Sequence, residues 1–228
     1  MRDIVIYGTG GFGREVLELI KDINSSEQVW NVLGFIDDNI ENHGTVINGY
    51  LVLGGYAWLE NYKNYNSPLS INIAIGNPQV RKRIAKKLNN ELFEFPNLVH
   101  PSVISSQYVL MGKGNTICAN NILTTNIKIG NFVTINLACT VGHDVIIGDF
   151  TTLLPACNVS GSVKIETCVD IGTKTCIIPN VTIGENSVIG AGATVIRDIP
   201  QNCTAVGSPA KPIKFHHQNS DEVHSINR

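Results

Sequence analysis

The chain has 228 residues, of which 43% are apolar, so it can build one large hydrophobic core or two modest ones. Its 17 Lys and Arg residues against 19 Asp and Glu give a formal net charge of -2. This balance, without a basic run, excludes an electrostatic footprint for nucleic acid or for a membrane surface. Any anionic ligand must therefore be met by local groups.

The first apolar segment is too short for a signal-peptide core or a membrane span, because only Ile4 to Tyr7 precede the first glycine. We therefore expect a cytoplasmic protein without a membrane span. The 6 cysteines show neither a CxxC pair nor a Cys/His metal spacing. We expect reduced, mostly buried thiols, with no zinc and no structural disulfide.

The N-terminal segment predicts a buried strand that ends in a glycine turn and continues into a helix, over residues 3–22. Gly8, Gly10 and Gly13 match G-x-G-x-x-G in this strand-to-helix context, and Gly11 lies within the same turn. Backbone N–H groups at the start of such a helix can hold a phosphate. The alternative is a tight turn that binds no ligand.

Two further strands are predicted in this region. The first, Val32 to Ile36, ends in Asp37 and Asp38, where a doubly wound sheet commonly presents acids to a ribose or a base. The second, 71–75, runs into Gly76, Asn77 and a basic helix over 79–88. We interpret the cations of that helix as a solvated face; they are Arg81, Lys82, Arg83, Lys86 and Lys87.

The N-terminal domain, residues 1–96, is predicted to be an α/β half-Rossmann domain. Its length suffices for half of a dinucleotide-binding fold, and an NAD-dependent dehydrogenase would need a second half or a substrate domain. A mononucleotide-linked ligand such as a nucleotide sugar suits it better. Pro96 and Pro101 bracket the junction with the next domain.

The rest of the chain is dominated by a repeat of period six. Steps of six from Val99 to Val195 visit 17 positions, and 16 of them are Val, Ile, Leu or Met, with Ser105 the exception. Glycine often follows this apolar residue, where we expect a tight corner, and a small or β-branched residue stands four positions after it. This pattern predicts short strands on the three sides of a triangular coil, so that residues 18 apart stack at about 4.8 Å.

The pattern resembles that of the hexapeptide-repeat acyltransferases. The resemblance implies that residues 97–214 form a left-handed parallel β-helix and that the chain assembles as a homotrimer. Residues 215–228 lack periodicity and are expected to be a flexible tail.

His143 is the candidate general base, because it follows an inward apolar position by two residues and should face outward near a corner. An imidazole titrates near neutral pH and suits proton abstraction from an attacking amine or hydroxyl. Asp144 could orient it, although neighbours on a regular strand point to opposite faces and only a corner would permit the contact.

Nearly the whole chain is similar to the nucleotide-amino-sugar N-acetyltransferases of the bacillosamine and perosamine pathways and to relatives labelled sialic acid O-acetyltransferases. The similarity lies in the glycine turn and in the segments 35–38, 75–77, 136–144 and 206–211. It implies that His143 is the base, that Asp144 orients it and that Asn136 contacts the sugar. It also implies that the backbone N–H of Gly161, one coil beyond the base, meets the thioester carbonyl. Some bacillosamine-pathway relatives carry a second histidine at the position of Thr152. The Thr152 hydroxyl can still donate a hydrogen bond, so we expect it to contact the cofactor, with a different placement of the acyl group.

The resemblance further implies that CoA lies in a groove between two prisms. The expected contacts are Thr173, Ala191, Gly192, Gly207 and Lys211, with Lys214 as a second candidate for the CoA phosphates. The implied activity is acetyl-CoA-dependent N-acetylation of a nucleotide-linked 4-amino-4,6-dideoxyhexose for surface glycan biosynthesis. O-acetylation of a sialic-acid-type sugar and a non-catalytic nucleotide-sugar-binding scaffold remain the alternatives. The nucleotide, UDP, dTDP or GDP, stays open, and so does the length of the acyl group.

Overall fold

A computed structural model describes residues 1–62, 68–89 and 91–216 of the chain. The expected tail begins inside this range. Phe215 still lies in a strand, and His216 donates its backbone N–H to Asn202 O at 2.7 Å and pairs its ring with Thr204 Oγ1 at 2.8 Å. The ordered chain therefore continues two residues past position 214, and the remaining predicted tail, 217–228, lies outside the described residues.

The N-terminal domain is a six-stranded sheet flanked by helices. Its strands are β1 (Arg2–Tyr7), β2 (Trp30–Ile36), β3 (Val46–Ile47), β4 (Tyr50–Gly54), β5 (Leu69–Ile73) and β6 (Phe93–Glu94). Its helices are α1 (Gly11–Ser26), α2 (Tyr56–Asn61) and α3 (Pro78–Lys87), with a 3-10 turn at Ile40–Asn42. The sheet order is β3-β4-β2-β1-β5-β6, with only β3 antiparallel to its neighbour.

The three strands and two helices that the sequence predicts are present as β1, β2, β5, α1 and α3. The short elements β3, β4, α2 and β6 were missed. Because β1 is central and the chain leaves it first toward β2 and later toward β5, a crevice opens at the carboxyl end of β1. This is where open α/β sheets bind ligands.

The second domain is a triangular parallel β-helix, as the period of six predicts. Side 1 consists of Leu98–Val99, Thr116–Ile117, Thr134–Ile135, Thr152–Leu153, Asp170–Ile171, Val188–Ile189 and Cys203–Val206. Side 2 consists of Ile104–Ser105, Ile122–Leu123, Thr140–Val141, Asn158–Val159, Cys176–Ile177 and Thr194–Val195. Side 3 consists of Leu110–Met111, Lys128–Ile129, Ile146–Ile147, Lys164–Ile165 and Thr182–Ile183. A final antiparallel strand, Lys211–Phe215, closes side 1.

Successive coils pair in register at a spacing of 18 residues, as between Thr134 and Thr152 on side 1 and between Thr140 and Asn158 on side 2. The large apolar residue of each side and the smaller residue four positions later are both buried in one continuous core. Ile135 and Cys139, for example, are 0% exposed. This confirms the inward pattern. Its one exception, Ser105, lies in the first coil and is exposed.

Each corner turns on a residue with positive φ, and this position differs from the one the sequence indicated. Residues at intervals of six, from Asn120 through Asp144 to Asn186, have φ between 55° and 63°. The glycines that follow the apolar positions do not have positive φ in the repeats; a Cβ on Gly142 would lie 2.7 Å from Gly161 N in the next coil. Glycine is therefore needed there for close approach between coils, and the explanation from a tight corner was wrong.

We name the corners by the sides they join: corner 1–2 contains 136–139, corner 2–3 contains 142–145 and corner 3–1 contains 148–151, with their equivalents 18 residues away. The N-terminal domain packs on side 1 and corner 3–1. Asn72 on β5 donates to Thr116 Oγ1 at 2.9 Å. The ring of Phe95 packs edge-on against Phe132, which stacks on Phe150 in the next coil.

Candidate active site

In the glycine turn after β1, Gly8 and Gly13 have no room for a side chain, whereas Gly10 and Gly11 face open space. Gly8 has φ of 119°, and a Cβ there would lie 2.8 Å from Ile75 Cδ1. A Cβ on Gly13 would collide with the Gly8 backbone. No atom lies within 4 Å of a Cβ on Gly10, and the nearest atom to one on Gly11 is an Arg14 guanidinium nitrogen at 3.9 Å. The start of α1 thus leaves room for an anionic ligand on its N–H groups, with a cation beside it.

Asp37 holds this turn in place. One of its carboxylate oxygens accepts from the backbone N–H of Thr9 at 3.2 Å and from the Thr9 hydroxyl, and the other accepts from Asn39 N–H at 2.8 Å. Its oxygens are therefore engaged within the protein. Asp37 therefore shapes the loop and also lines the crevice, and its contact with a ribose or base stays a prediction.

Asp38 lines the crevice itself. A cavity of about 440 Å³ at the carboxyl end of β1 is lined by Tyr7, Gly8, Asp37, Asp38, Ile75, Val80, Arg83, Ile84 and Lys87. The Tyr7 hydroxyl donates to one oxygen of Asp38 at 2.8 Å, and burial together with this carboxylate raises the pKa of Tyr7. Tyr7 thus stays protonated and holds Asp38 in one orientation.

The basic helix α3 is a solvated face only in part, because Arg83, Lys86 and Lys87 are exposed, as predicted, whereas Arg81 is buried. Arg83 and Lys87 line the cavity, where they place positive charge opposite Asp38. The Lys87 ammonium also lies 3.9 Å from the centre of the Tyr56 ring. Arg81 is 1% exposed and points toward the β-helix. Helical periodicity alone could not show that one turn of α3 packs against another domain.

Gly76 and Asn77 lie in the loop between β5 and α3, directly after Ile75 of the crevice lining. Both are exposed, and no atom lies within 4 Å of a Cβ on Gly76. The Asn77 side-chain oxygen caps α3 by accepting from Gln79 N–H at 3.0 Å and Val80 N–H at 3.1 Å. The cap orients the Asn77 amide, so that its NH₂ is the part suited to a ligand.

In the β-helix, His143 and Asp144 form a pair at corner 2–3. His143 Nδ1 lies 2.8 Å from Asp144 Oδ2, and the two side chains are 63% and 53% exposed. Neighbours can meet here because Asp144 has φ of 60°, which breaks the alternation of a strand. Hydrogen bonds from His143 and then from Asn126 lower the pKa of Asp144. The ionised carboxylate fixes the Nδ1–H tautomer and leaves the Nε2 lone pair available.

Gly161 lies directly against the imidazole. A Cβ built on it would be 2.5 Å from both Cε1 and Nε2 of His143. Among the described residues, the Gly161 backbone N–H has no backbone hydrogen-bond acceptor, whereas its carbonyl accepts from Asn180 N–H at 3.2 Å. The arrangement places a free donor of corner 2–3 beside the free nitrogen of the base.

The other predicted contacts lie on a different edge of the prism. Corner 1–2 carries Asn136, then Thr173 two coils later, then Ala191 and Gly192 together in the following coil, and Gly207 follows side 1 at the C-terminal end. Gly207 O accepts from Thr194 N–H at 3.0 Å, which packs it against the last coil. Asn136 is 8% exposed, Thr173 is partly exposed, and the remaining three are exposed, as is Lys211 in the last strand.

Thr152 lies between the two domains of one chain. It is 1% exposed, and its hydroxyl accepts from Arg81 at 2.9 Å and donates to Gly76 O at 3.1 Å. The position is half a coil from His143, on side 1, where the N-terminal domain covers it. Within one chain Thr152 thus joins the two domains, and its assignment to cofactor binding stays a prediction.

Other reactive groups are already engaged. His100 pairs Nε2 with Asp22 at 3.1 Å and accepts Ser102 N–H on Nδ1 at 2.9 Å, so neither ring nitrogen is available as a base. Five of the cysteines are buried free thiols and Cys176 is exposed. Among residues 1–62, 68–89 and 91–216, no cluster of His, Cys, Asp or Glu could hold a metal ion. Within the same ranges, no helix is long and apolar enough to cross a membrane.

A β-helix with an oriented histidine at one corner, joined to a nucleotide-binding crevice, defines an acyl-CoA-dependent acyltransferase of the hexapeptide-repeat class. Comparison with known proteins agrees. Residues 3–88 match the family model of the PglD N-terminal domain. The chain is 31% identical to GDP-perosamine N-acetyltransferase of Escherichia coli O157:H7 over 217 residues, which span 92% of this chain and 95% of that protein.

Solved structures show the same architecture over the whole chain. A variant of perosamine N-acetyltransferase from Caulobacter crescentus, in complex with CoA and GDP-perosamine, superposes with a TM-score of 0.86 at 28% identity, covering 94% of this chain and 98% of that one. WeeI from Acinetobacter baumannii AYE gives a TM-score of 0.84 at 32% identity, covering 93% and 100%. The chain belongs to this family of left-handed β-helix acetyltransferases that carry a PglD-type N-terminal domain.

Proposed function

We propose that the protein transfers the acetyl group of acetyl-CoA to the amino group of a nucleotide-linked amino sugar, with His143 as general base. The observation that carries the proposal is the imidazole itself, which is oriented through Nδ1 by Asp144 and has Nε2 free beside Gly161. The relatives support an amine acceptor, because those from Escherichia coli O157:H7 and Caulobacter crescentus are perosamine N-acetyltransferases and the latter was solved with CoA and GDP-perosamine.

In this mechanism His143 Nε2 accepts a proton as the sugar nitrogen attacks the thioester carbon. The negative charge that develops on the carbonyl oxygen is stabilised by the Gly161 N–H. The C–S bond then breaks, and the imidazolium returns its proton to the departing CoA thiolate. Asp144, held ionised by its hydrogen bonds, stabilises the positive imidazolium between the two steps.

We further propose that the site forms between two chains of a homotrimer. His143 and Gly161 lie on corner 2–3, whereas Asn136, Thr173 and Ala191 lie on corner 1–2 of the same prism. These corners are opposite edges of side 2, so one chain does not bring them together. A neighbouring prism that packs on side 2 places the base of one chain against the sugar and CoA contacts of the next.

The composition of side 2 supports this packing. Its outward residues carry no charge, and they include Ile104 at 66% and Ile122 at 40% exposure. Side 3 differs, because Lys128 and Lys164 point outward from it. Side 1 is covered by the N-terminal domain. Side 2 is therefore the face suited to contact between copies.

The test is thiol release from acetyl-CoA with a panel of UDP-, dTDP- and GDP-linked 4-amino-4,6-dideoxyhexoses. Each is paired with its 4-hydroxy counterpart, so that transfer to nitrogen and to oxygen are separated. We expect turnover with at least one amine and a fall in kcat of at least about 100-fold in His143→Ala, since general-base catalysis contributes about 10²–10⁴. Turnover only with hydroxyl acceptors would favour O-acetylation. Near-wild-type turnover by His143→Ala would exclude the histidine.

A further inference from the structure

One buried cation plays no part in the chemistry proposed above. Arg81 on α3 is 1% exposed and donates to six acceptors in two domains, none of which is a carboxylate. Burial lowers the pKa of its guanidinium to about 10. A buried charge is costly unless every donor is satisfied, and an apolar residue of similar volume would often stabilise a fold as well. The contacts of Arg81 therefore indicate a geometric role.

On the N-terminal side, Arg81 holds the end of β5. Its Nη1 donates to Ile75 O at 2.6 Å and to Gly76 O at 3.2 Å. The Ile75 side chain lines the nucleotide crevice and abuts Gly8 in the glycine turn. The Arg81 guanidinium thus fixes the backbone of Ile75 and Gly76, and with it the Ile75 wall of the crevice.

On the β-helix side, Arg81 spans two successive coils at corner 3–1. Nε donates to Phe132 O at 2.8 Å, and Nη2 donates to Phe150 O at 2.7 Å, with Thr152 Oγ1 at 2.9 Å beside it. Phe132 and Phe150 are the positive-φ residues of their corners and are 18 positions apart. Thr152 also donates to Gly76 O at 3.1 Å, so two side chains tie the same loop to the coils.

We propose that Arg81 is a positioning residue that sets the height of the nucleotide crevice along the β-helix, and thereby the distance from the bound sugar to the catalytic corner. The proposal rests on the proposed function, because a fixed distance matters only if the ligand of the crevice reacts at the β-helix. Arg is suited to this role because the three nitrogens of its planar guanidinium donate to separate acceptors in fixed directions, whereas Lys has a single ammonium.

The test compares Arg81→Lys, Arg81→Met and Thr152→Val with Lys86→Gln as the matched control, since Lys86 is an exposed cation of the same helix outside the crevice. We measure kcat and KM for the amino-sugar nucleotide, and the affinities for the nucleoside diphosphate and for CoA by calorimetry. In Arg81→Lys we expect kcat to fall at least about tenfold, because a misplacement of about 1 Å can cost 10²-fold. The affinity for CoA should change less than about threefold, because the expected CoA contacts lie in the β-helix, away from Arg81. The affinity for the nucleoside diphosphate should fall by a smaller factor than kcat, because Arg81 also holds Ile75 in the crevice wall.

A smaller loss of kcat is expected for Thr152→Val and none for Lys86→Gln. Unchanged kcat in Arg81→Lys, or a loss explained by weaker nucleotide binding, would overturn the positioning role. If Arg81→Met does not fold, Arg81→Lys and Thr152→Val decide. Hydrogen exchange of the Ala74 amide, which donates to Tyr7 O at 2.9 Å just after β5, gives a readout without activity, and it should be faster in Arg81→Lys. Equal exchange rates overturn the proposal, whereas a wild-type protein inactive with every amino sugar overturns the proposed function instead.

Discussion

Substitution of Gly161 by alanine tests the geometry of the catalytic corner most directly. The new Cβ would lie 2.5 Å from Cε1 and Nε2 of His143, whereas carbon atoms rest at about 3.5–4.0 Å from their neighbours. The imidazole must therefore retreat by about 1 Å. It can do so, because the His143 side chain is 63% exposed and Gly161 does not have a positive φ that alanine would avoid. The fold should persist while the base is displaced.

A displacement of about 1 Å is expected to lower kcat about 100-fold, which corresponds to about 2.7 kcal/mol in the activation free energy. The assay is thiol release from acetyl-CoA, with thermal unfolding as the check on folding. In the double variant with His143→Ala, the alanine at 161 should add little to the loss, because its effect acts through the imidazole. A Gly161→Ala enzyme within about twofold of wild-type kcat would refute the reasoning, and so would losses that multiply in the double variant.

Four further outcomes are expected. Asp38→Asn should weaken calorimetric binding of the nucleoside diphosphate about tenfold, because it removes a charged acceptor from the crevice, while CoA affinity stays the same; equal nucleotide affinity would contradict this. Cys176, exposed on side 2, should react slowly with a thiol reagent in the trimer and faster after dissociation by dilution, whereas Cys118, whose pKa burial raises to about 12, stays inert; equal rates for Cys176 would argue against packing on side 2. Leu153→Ala, at a fully buried core position, should lower the free energy of unfolding by about 2–5 kcal/mol in urea, and a smaller loss would mean that the coil collapses around the cavity. The pKa of Asp144 is lower in the folded protein than in the unfolded chain, so its pairing stabilises the fold above the unfolded-state pKa of about 3.9, and this contribution is lost as pH falls through the folded-state pKa. Asp144→Asn should remove this pH dependence of stability. Superimposable acid-unfolding curves of the variant and the wild type would contradict it.

The sequence predicts the β-helix well because its core is strictly local in pattern. Each inward residue, such as Ile135 or Leu153, meets only its own coil and the coils on either side, so the period of six carries the whole arrangement. The pair of His143 and Asp144 was also predictable, because its one condition was a corner at that point. Asp144 meets that condition through its positive φ.

Contacts between the two domains could not be predicted in the same way. The cations of α3 follow one another in the sequence, yet Arg81 is buried against the coils, Arg83 and Lys87 line the crevice and Lys86 is exposed. Which turn of an amphipathic helix contacts another domain depends on how the two domains pack. That packing produces no periodic pattern in the sequence. The same cause explains Thr152, whose burial follows from coverage by the N-terminal domain.

The role of Asp37 shows a third limit. Acids at the end of β2 are typical of ligand contacts in doubly wound sheets, and both Asp37 and Asp38 fit that pattern. Both line the crevice, but their hydrogen bonds differ: both oxygens of Asp37 accept from Thr9 or Asn39, whereas one oxygen of Asp38 accepts from Tyr7. A sequence gives the candidates, and the partners decide between them.

Successive coils of the β-helix are spaced by about 4.8 Å, so equivalent positions recur along the prism at this fixed interval. Residue 125 lies at the same corner one coil before His143, and residue 161 lies one coil after it. A base placed in a neighbouring coil would therefore be displaced by a whole coil spacing. One coil spacing of about 4.8 Å exceeds the distance of about 2.6–3.2 Å over which a general base takes a proton. Under the proposed mechanism, the acetylated atom of the sugar therefore depends on the whole number of coils between the coils that bind Arg81 and the coil that carries His143.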